Sequence, residues 1–197
     1  MSQAHQEIEA KFYVQSLAGI EKRIKQLGGR LIQPRTLEIN LRYDTPNRDL
    51  QRSGRVLRLR QDVVTSLTYK SGGQTQEGAL ARTEIEFTVS NFETAQQFLE
   101  ALGYQVFFVY EKYRTIFVIG SIQIMLDELP YGDFVEIEGA LENLKNLAPQ
   151  LGLRWETAIQ ESYYHLFQTL YKTQGLTFRD LRFENFAHLT ITAEQLG

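Results

Sequence analysis

The chain has 197 residues, with 21 lysines and arginines against 24 aspartates and glutamates, for a formal net charge of -3. That length supports one domain with a substantial core, and so slight a charge imbalance argues against nonspecific binding to nucleic acid or to an anionic membrane, while local arginine clusters remain able to hold a small anion. Cysteine is absent, which excludes disulfides, thiolate metal sites and cysteine nucleophiles, and suits a reducing cytoplasm.

At the N-terminus no basic leader precedes an apolar run, and no later stretch approaches the roughly twenty apolar residues that span a bilayer, so a soluble, cytoplasmic protein is expected. The first strand is EIEAKF. Glu7, Glu9 and Lys11 share one face of it, and Ile8, Ala10 and Phe12 share the other. Neighbouring acids repel, so the charged face is either wet or holds a cation. In VQSLAGIEKRIKQLGGRL, Leu17, Ile20, Ile24 and Leu27 recur at helical spacing, with Ser16 as the candidate cap and Gly28-Gly29 as the stop. Strands are predicted in GRVLRLRQ, TSLTYKS and ARTEIEFTV. A second helix follows in NFETAQQFLEALGY, with Phe92, Ala95, Phe98, Leu99 and Leu102 on its apolar side. It echoes the first helix weakly, since each follows a charged strand and ends in Leu-Gly. YQVFFVYEKYRTIFVI, SIQIMLDEL and GDFVEIEGA are strands again, and SGGQTQEG, IGS and PYGD supply turns. Short helices are expected in LENLKNLAPQLG and ETAIQESYYHLFQTLY. The domain is expected to span residues 1–171. Residues 172–197 form an extension whose Phe178, Leu181, Phe183, Phe186 and Leu189 pack on the domain or on a partner, which leaves a homodimer open.

Each strand splits into two chemically distinct faces. With Glu7, Glu9 and Lys11, one face collects Arg58, Arg60, Lys70, Arg82, Glu84, Glu86, Lys112, Arg114, Asp127, Glu136 and Glu138. The other carries residues such as Leu67, Tyr69, Ile85, Ile124 and Val135, and Val56 departs from the pattern at a strand end. A wet face of an antiparallel sheet is the ordinary cause of alternation, but it usually mixes in Thr, Ser, Gln and Asn, and here the polar face is almost purely charged. A sheet closed into a barrel with these charges inward would form a lumen suited to a polyanion and a divalent metal. Arginine would offer forked donors to phosphate oxygens, and paired carboxylates would take a hard ion such as Mg2+ or Mn2+.

EIEAK, RYDTP, GRVLRLR, TYK, RTEIEF, KYR and LDELPYGDFVEIEG follow one another over roughly residues 5–170. On these motifs the chain resembles the CYTH superfamily, the triphosphate tunnel metalloenzymes. The resemblance implies an α+β, mainly β fold, a closed antiparallel eight-stranded β-barrel with flanking helices whose tunnel binds triphosphate. It implies that Glu7 and Glu9 bind the metal, that Glu136 and Glu138 complete or flank a second metal position, and that Lys11, Arg58, Arg60, Lys70, Arg82, Lys112 and Arg114 hold the triphosphate. Lys70, Glu84 and Glu86 are the candidate catalytic residues, and Asp127 joins the metal set. For Asp127, Glu84 and Glu86, internal ion pairing is an equal alternative.

The activity implied is a metal-dependent phosphohydrolase of inorganic, organic or nucleoside triphosphates, with tripolyphosphate, ATP and thiamine triphosphate as candidate substrates. Within the same fold the alternative is a class IV adenylate cyclase making cyclic AMP and pyrophosphate. Outside enzymology it is a noncatalytic triphosphate or nucleotide sensor. One departure stands out. The thiamine triphosphatase branch has a tyrosine two residues before the Asp of its YYDT-like motif, and LRYDT here has Arg42, which either extends the cationic wall or faces outward. GGQTQEG lacks the lysine and following helix of a P-loop and is read as part of a hairpin turn. His5, His165 and His188 lack ligand spacing, so surface or packing roles are favoured over zinc. Tyr163, Tyr164 and Phe167 are read as core-facing, with a tyrosine there able to reach the tunnel.

Overall fold

The computed structural model describes residues 5–189 and 191. The side chain of His5 and the tail beyond residue 191 lie outside the described residues. The eight strands are β1 (His5–Val14), β2 (Arg30–Asp44), β3 (Val56–Gln61), β4 (Thr65–Gln76), β5 (Ala79–Val89), β6 (Gln105–Ile119), β7 (Ile122–Leu129) and β8 (Gly132–Glu138). They pair antiparallel in the ring order β1-β5-β4-β3-β2-β6-β7-β8, and β8 pairs back onto β1 to close the barrel. The helices are α1 (Leu17–Gln26), the short α2 (Asp49–Arg52), α3 (Phe92–Ala101), α4 (Leu141–Leu147) and α5 (Tyr163–Thr173). No helix among the described residues is long and apolar enough to cross a membrane.

The hydrophobic core lies outside the barrel. Alternation sends Ala10, Phe12, Ile124, Val135 and Ile137 outward, where α1 and α4 cover them with Ile20, Ile24, Leu144 and Leu147. A second cluster joins Phe134 and Tyr131 to Phe167 and Leu170 of α5, and a third sets Tyr43 and Leu59 beneath Leu99 of α3. Each fully buried Leu or Phe contributes about 1.5–3 kcal/mol, so the wrapping helices hold the barrel wall and leave its lumen to charged groups.

Several local expectations need correction. Strand β2 is missing from the predicted strands because Pro34, which cannot donate to a ladder, breaks its pattern. Its pairing with β6 slips between Leu31 and Gln33 and again between Gln33 and Thr36. Gly72 and Gly73 do not make the hairpin turn. They form a bulge inside β4, where pairing shifts between Ser71 and Gln74 and Gly72 takes a φ of 67°, and the turn falls at Glu77-Gly78. Ser16 occupies the start of α1 without a side-chain cap, whereas Asn91 accepts from the Thr94 N–H to cap α3. On α3 only a narrow stripe docks: Leu99 is buried, and Phe98 and Leu102 are 61% and 59% exposed.

The segment after α5 returns to the barrel. Leu181 donates its N–H to the Val109 carbonyl and accepts from the Glu111 N–H, at 2.9 Å each, beside the half of β6 that β7 does not pair. Leu181 and Phe186 are buried, Phe178 packs with them, and Leu189 is 41% exposed.

Candidate active site: the charged tunnel

The barrel encloses a cavity of about 500 Å3, within the range usual for small-molecule sites. Glu7, Glu9, Lys11, Arg58, Arg60, Lys70, Arg82, Glu84, Glu86, Lys112, Arg114, Glu136 and Glu138 all line it. Val56, the exception to strand alternation, lines it too. Like charges in so confined a space must be neutralised, and the ion pairs show how.

One group centres on Asp127. It is fully buried and accepts from Lys112 at 3.0 Å, from the Arg114 guanidinium at 2.6 and 2.5 Å, and from the Tyr163 hydroxyl at 2.8 Å. Its oxygens are fully engaged, which matches ion pairing, the alternative to its place in the metal set. Arg114 also donates to Glu136 at 2.5 Å, and Lys11 lies 3.3 Å from the other Glu136 oxygen. Burial alone would raise the Glu136 carboxyl, but Lys11, Arg114 and Lys112 hold it well below the usual carboxylate range.

Sequence reasoning missed a further member. Glu38 of β2 is completely buried, 3.4 Å from Lys112. Burial works against its ionisation, yet Lys112 and Arg114, helped by Arg58 and Arg60, keep it ionised far below the ordinary range. The alternation of Glu38, Asn40, Arg42 and Asp44 in LEINLRYD was the available signal.

A second group joins β3, β4 and β5. Glu86 accepts from Arg60 at 2.9 Å, from the Thr68 hydroxyl at 2.6 Å and from Arg58 at 3.4 Å. Arg58 also donates to the Tyr110 hydroxyl at 3.4 Å. Burial raises the Tyr110 phenol, but Arg58 and Lys112 outweigh it and press it below its usual value.

A third group is acid-rich. Lys70 lies 2.7 Å from Glu7 and 3.0 Å from Glu84, and Arg82 lies 2.7 Å from Glu9 and 3.5 Å from Glu7. Glu138 faces the same acids, and burial followed by Glu7, Glu84 and Glu9 pushes its carboxyl up to about 7 against the opposing effect of Lys70. Four carboxylates thus share two cations here, an excess of negative charge that a hard divalent ion would offset. The donor set, all carboxylate oxygen, fits a hard divalent ion. No three acidic or histidine side chains among the described residues already converge at metal-binding geometry, because Lys70 and Arg82 stand between them.

Arg42 points inward, extending the cationic wall, with Phe107 and Tyr164 at its guanidinium. Asp44 organises the adjoining loop by accepting from the N–H groups of Thr45, Leu50 and Gln51, which places Gln51, Gly54 and Arg55 along the cavity. Tyr163 and Tyr164 both reach the tunnel from α5, and the ammonium of Lys11 sits 4.4 Å above the Tyr163 ring. Phe167 stays in the outer core. His165 is exposed at the cavity rim with its Nδ1 3.3 Å from the Ser162 hydroxyl, and His188 is exposed.

The CYTH domain profile matches residues 5–150. Among solved structures, an inferred adenylate cyclase from Vibrio parahaemolyticus superposes with a TM-score of 0.76 at 26% identity, covering 84% of this chain and 99% of that one. The PH1012 protein of Pyrococcus horikoshii gives 0.68 at 26% identity, covering 80% and 96%. An inferred adenylyl cyclase from Hippeastrum, described as having a dominant triphosphatase activity, shares the fold at 20% identity with a TM-score of 0.62, covering 82% and 95%. No curated protein matches the sequence.

Proposed function

The chain belongs to the CYTH family, and from that premise we propose that it is a metal-dependent phosphohydrolase acting on a triphosphate held in the tunnel. The observation that carries this reading is the enclosure of Lys11, Arg58, Arg60, Lys70, Arg82, Lys112 and Arg114 around one cavity. Seven cations exceed what a monovalent or divalent anion needs, and their ion-pair partners keep them fixed before ligand arrives. Such fixed donors stabilise developing charge without reorganising at the moment of reaction.

Phosphoryl transfer asks mainly for alignment and neutralisation. Arg58, Arg60, Lys112 and Arg114 would share the phosphate oxygens. Water would attack the terminal phosphorus as the bond to the bridging oxygen breaks, and inorganic phosphate and the shortened chain would leave. Glu84 and Glu86 would orient that water. Burial raises both carboxyls, but Lys70 outweighs it at Glu84, and Arg60 and Arg58 outweigh it at Glu86, so both are ionised acceptors. Glu7, Glu9 and Glu138 would hold the divalent ion, which when bound supplies positive charge to the phosphates.

The protein incubated with Mg2+ or Mn2+ and, separately, tripolyphosphate, ATP and thiamine triphosphate tests the reading, with phosphate, pyrophosphate and cyclic AMP resolved as products. Fastest phosphate release from tripolyphosphate supports it. Cyclic AMP with matching pyrophosphate makes the protein a cyclase, and binding without turnover makes it a sensor. Glu7→Gln and Glu9→Gln should abolish metal-dependent turnover and leave the fold intact.

A further inference from the structure

Arg42 of β2 stands directly opposite Arg58 of β3 in the barrel register. Like charges directly opposed on neighbouring strands destabilise a sheet. Arg58 is compensated by Glu86, but among the described residues no carboxylate pairs with Arg42, whose Nε, like that of Arg58, is buried without a hydrogen-bond partner. Its immediate company is aromatic. The guanidinium carbon lies 5.5 Å from the Phe107 ring centre and 5.8 Å from that of Tyr164. Phe107 comes within reach because β6 bulges there: Arg42 pairs with Phe108 and Tyr43 with Val106, so Phe107 has no partner of its own on β2. Arg48 occupies Phe107 as well, 4.5 Å from its centre.

An arginine held by two rings, opposed by another arginine and lacking an acid is costly in the ligand-free protein. Burial, then Arg58 and Arg82, depress its basicity against the opposing effect of Tyr110 and Tyr164. The cost is recovered if an anion enters between Arg42 and Arg58. The rings themselves are taken up by guanidinium groups, so they serve to aim arginines and do not offer a free platform for a base.

We propose that Arg42 and Arg58 clamp one phosphoryl group of the substrate, which makes Arg42 a specificity-determining residue that favours an inorganic polyphosphate chain over an organic substituent at this part of the tunnel. The inference rests on the triphosphate reading above. Calorimetric titration of tripolyphosphate into wild type, Arg42→Met and Arg42→Gln tests it, with melting temperatures of the ligand-free proteins recorded alongside. The expected result is a Kd at least about tenfold higher in both variants, with ligand-free melting temperatures no lower than wild type because an uncompensated buried charge has gone. Measurable wild-type binding with unchanged Kd in both variants overturns the clamp and leaves the triphosphate reading standing. A substitution that weakens the binding of adenosine, titrated separately, more than that of tripolyphosphate also overturns it, by making this a nucleoside subsite. Wild-type protein that does not bind tripolyphosphate at all removes the triphosphate reading and the clamp with it.

Discussion

The ammonium of Lys70 lies 2.7 Å from both carboxylate oxygens of Glu7, so a side chain suited to phosphate is held by one suited to metal. Neither can take its own ligand fully while it holds the other. A phosphate that draws Lys70 away leaves the Glu7 carboxylate open to a cation, and a cation at Glu7 releases Lys70. Metal and triphosphate should therefore favour each other's binding by the same factor. Calorimetry is expected to show tripolyphosphate binding at least about fivefold tighter with Mg2+ or Mn2+ present. That coupling should shrink in Glu7→Gln, which separates it from chelation of the ion by free tripolyphosphate. Equal coupling in the variant would mean that the Lys70–Glu7 pair persists in the complex.

Glu138 sets a pH dependence. Its carboxyl is pushed up to about 7, first by burial and then by Glu7, Glu84 and Glu9. Between the ordinary carboxylate value and about 7 the folded protein binds more protons than the unfolded chain, so stability falls as pH rises through that window. Metal needs the ionised form, so affinity for Mg2+ or Mn2+ should climb over the same window with proton release. Melting curves of wild type and Glu138→Gln between about pH 5 and about pH 8 check this, since the variant should lose that part of the slope. Identical slopes would remove Glu138 as its source.

Arg58 touches Tyr110, Thr68 and Glu86 and projects into the cavity. Arg58→Ala should cost about 2–4 kcal/mol of transition-state stabilisation, read from kcat/KM. Arg58→Lys should recover only part, because an ammonium lacks the forked donors of guanidinium. An unchanged kcat/KM in the alanine variant would place Arg58 away from the reacting phosphates.

Asp127 joins Lys112, Arg114 and Tyr163 in a buried network. Asp127→Asn should destabilise by about 3–5 kcal/mol in urea unfolding, because it strands buried positive charge. Tyr163→Phe removes one hydrogen bond and should cost about 1 kcal/mol. Equal losses in the two variants would show that the charge of Asp127 matters no more than its shape.

The barrel and most of its lining were legible in the sequence because strand geometry turns alternation into facing. ExExK, RxR, RxExE, KxR and ExE can share one surface only if that surface is enclosed or wet, and their chemical purity favoured enclosure. Glu38 stayed hidden because its strand is interrupted by Pro34 and the positions two residues to either side, Thr36 and Asn40, carry no charge. Phe98 and Leu102 kept helical spacing without burial, since α3 rests on the curved outer wall along Leu99 alone among its fully buried residues. Pairing was the least readable feature. Glycine doublets mark bulges as well as turns, and sequence spacing does not show that Lys70 is held by Glu7.

The matched family region ends at residue 150, yet Gln160, Ser162, Tyr163, Tyr164 and His165 line the cavity from beyond it, and Leu181 fills the unpaired edge of β6 beside Tyr110 and Lys112. One wall of the cavity is thus supplied by a stretch beyond the matched family region. Changes there can reshape one wall of the cavity while the ion pairs among Glu7, Glu9, Lys70 and Arg82 stay in place, so the shape of the cavity and its charge can vary separately.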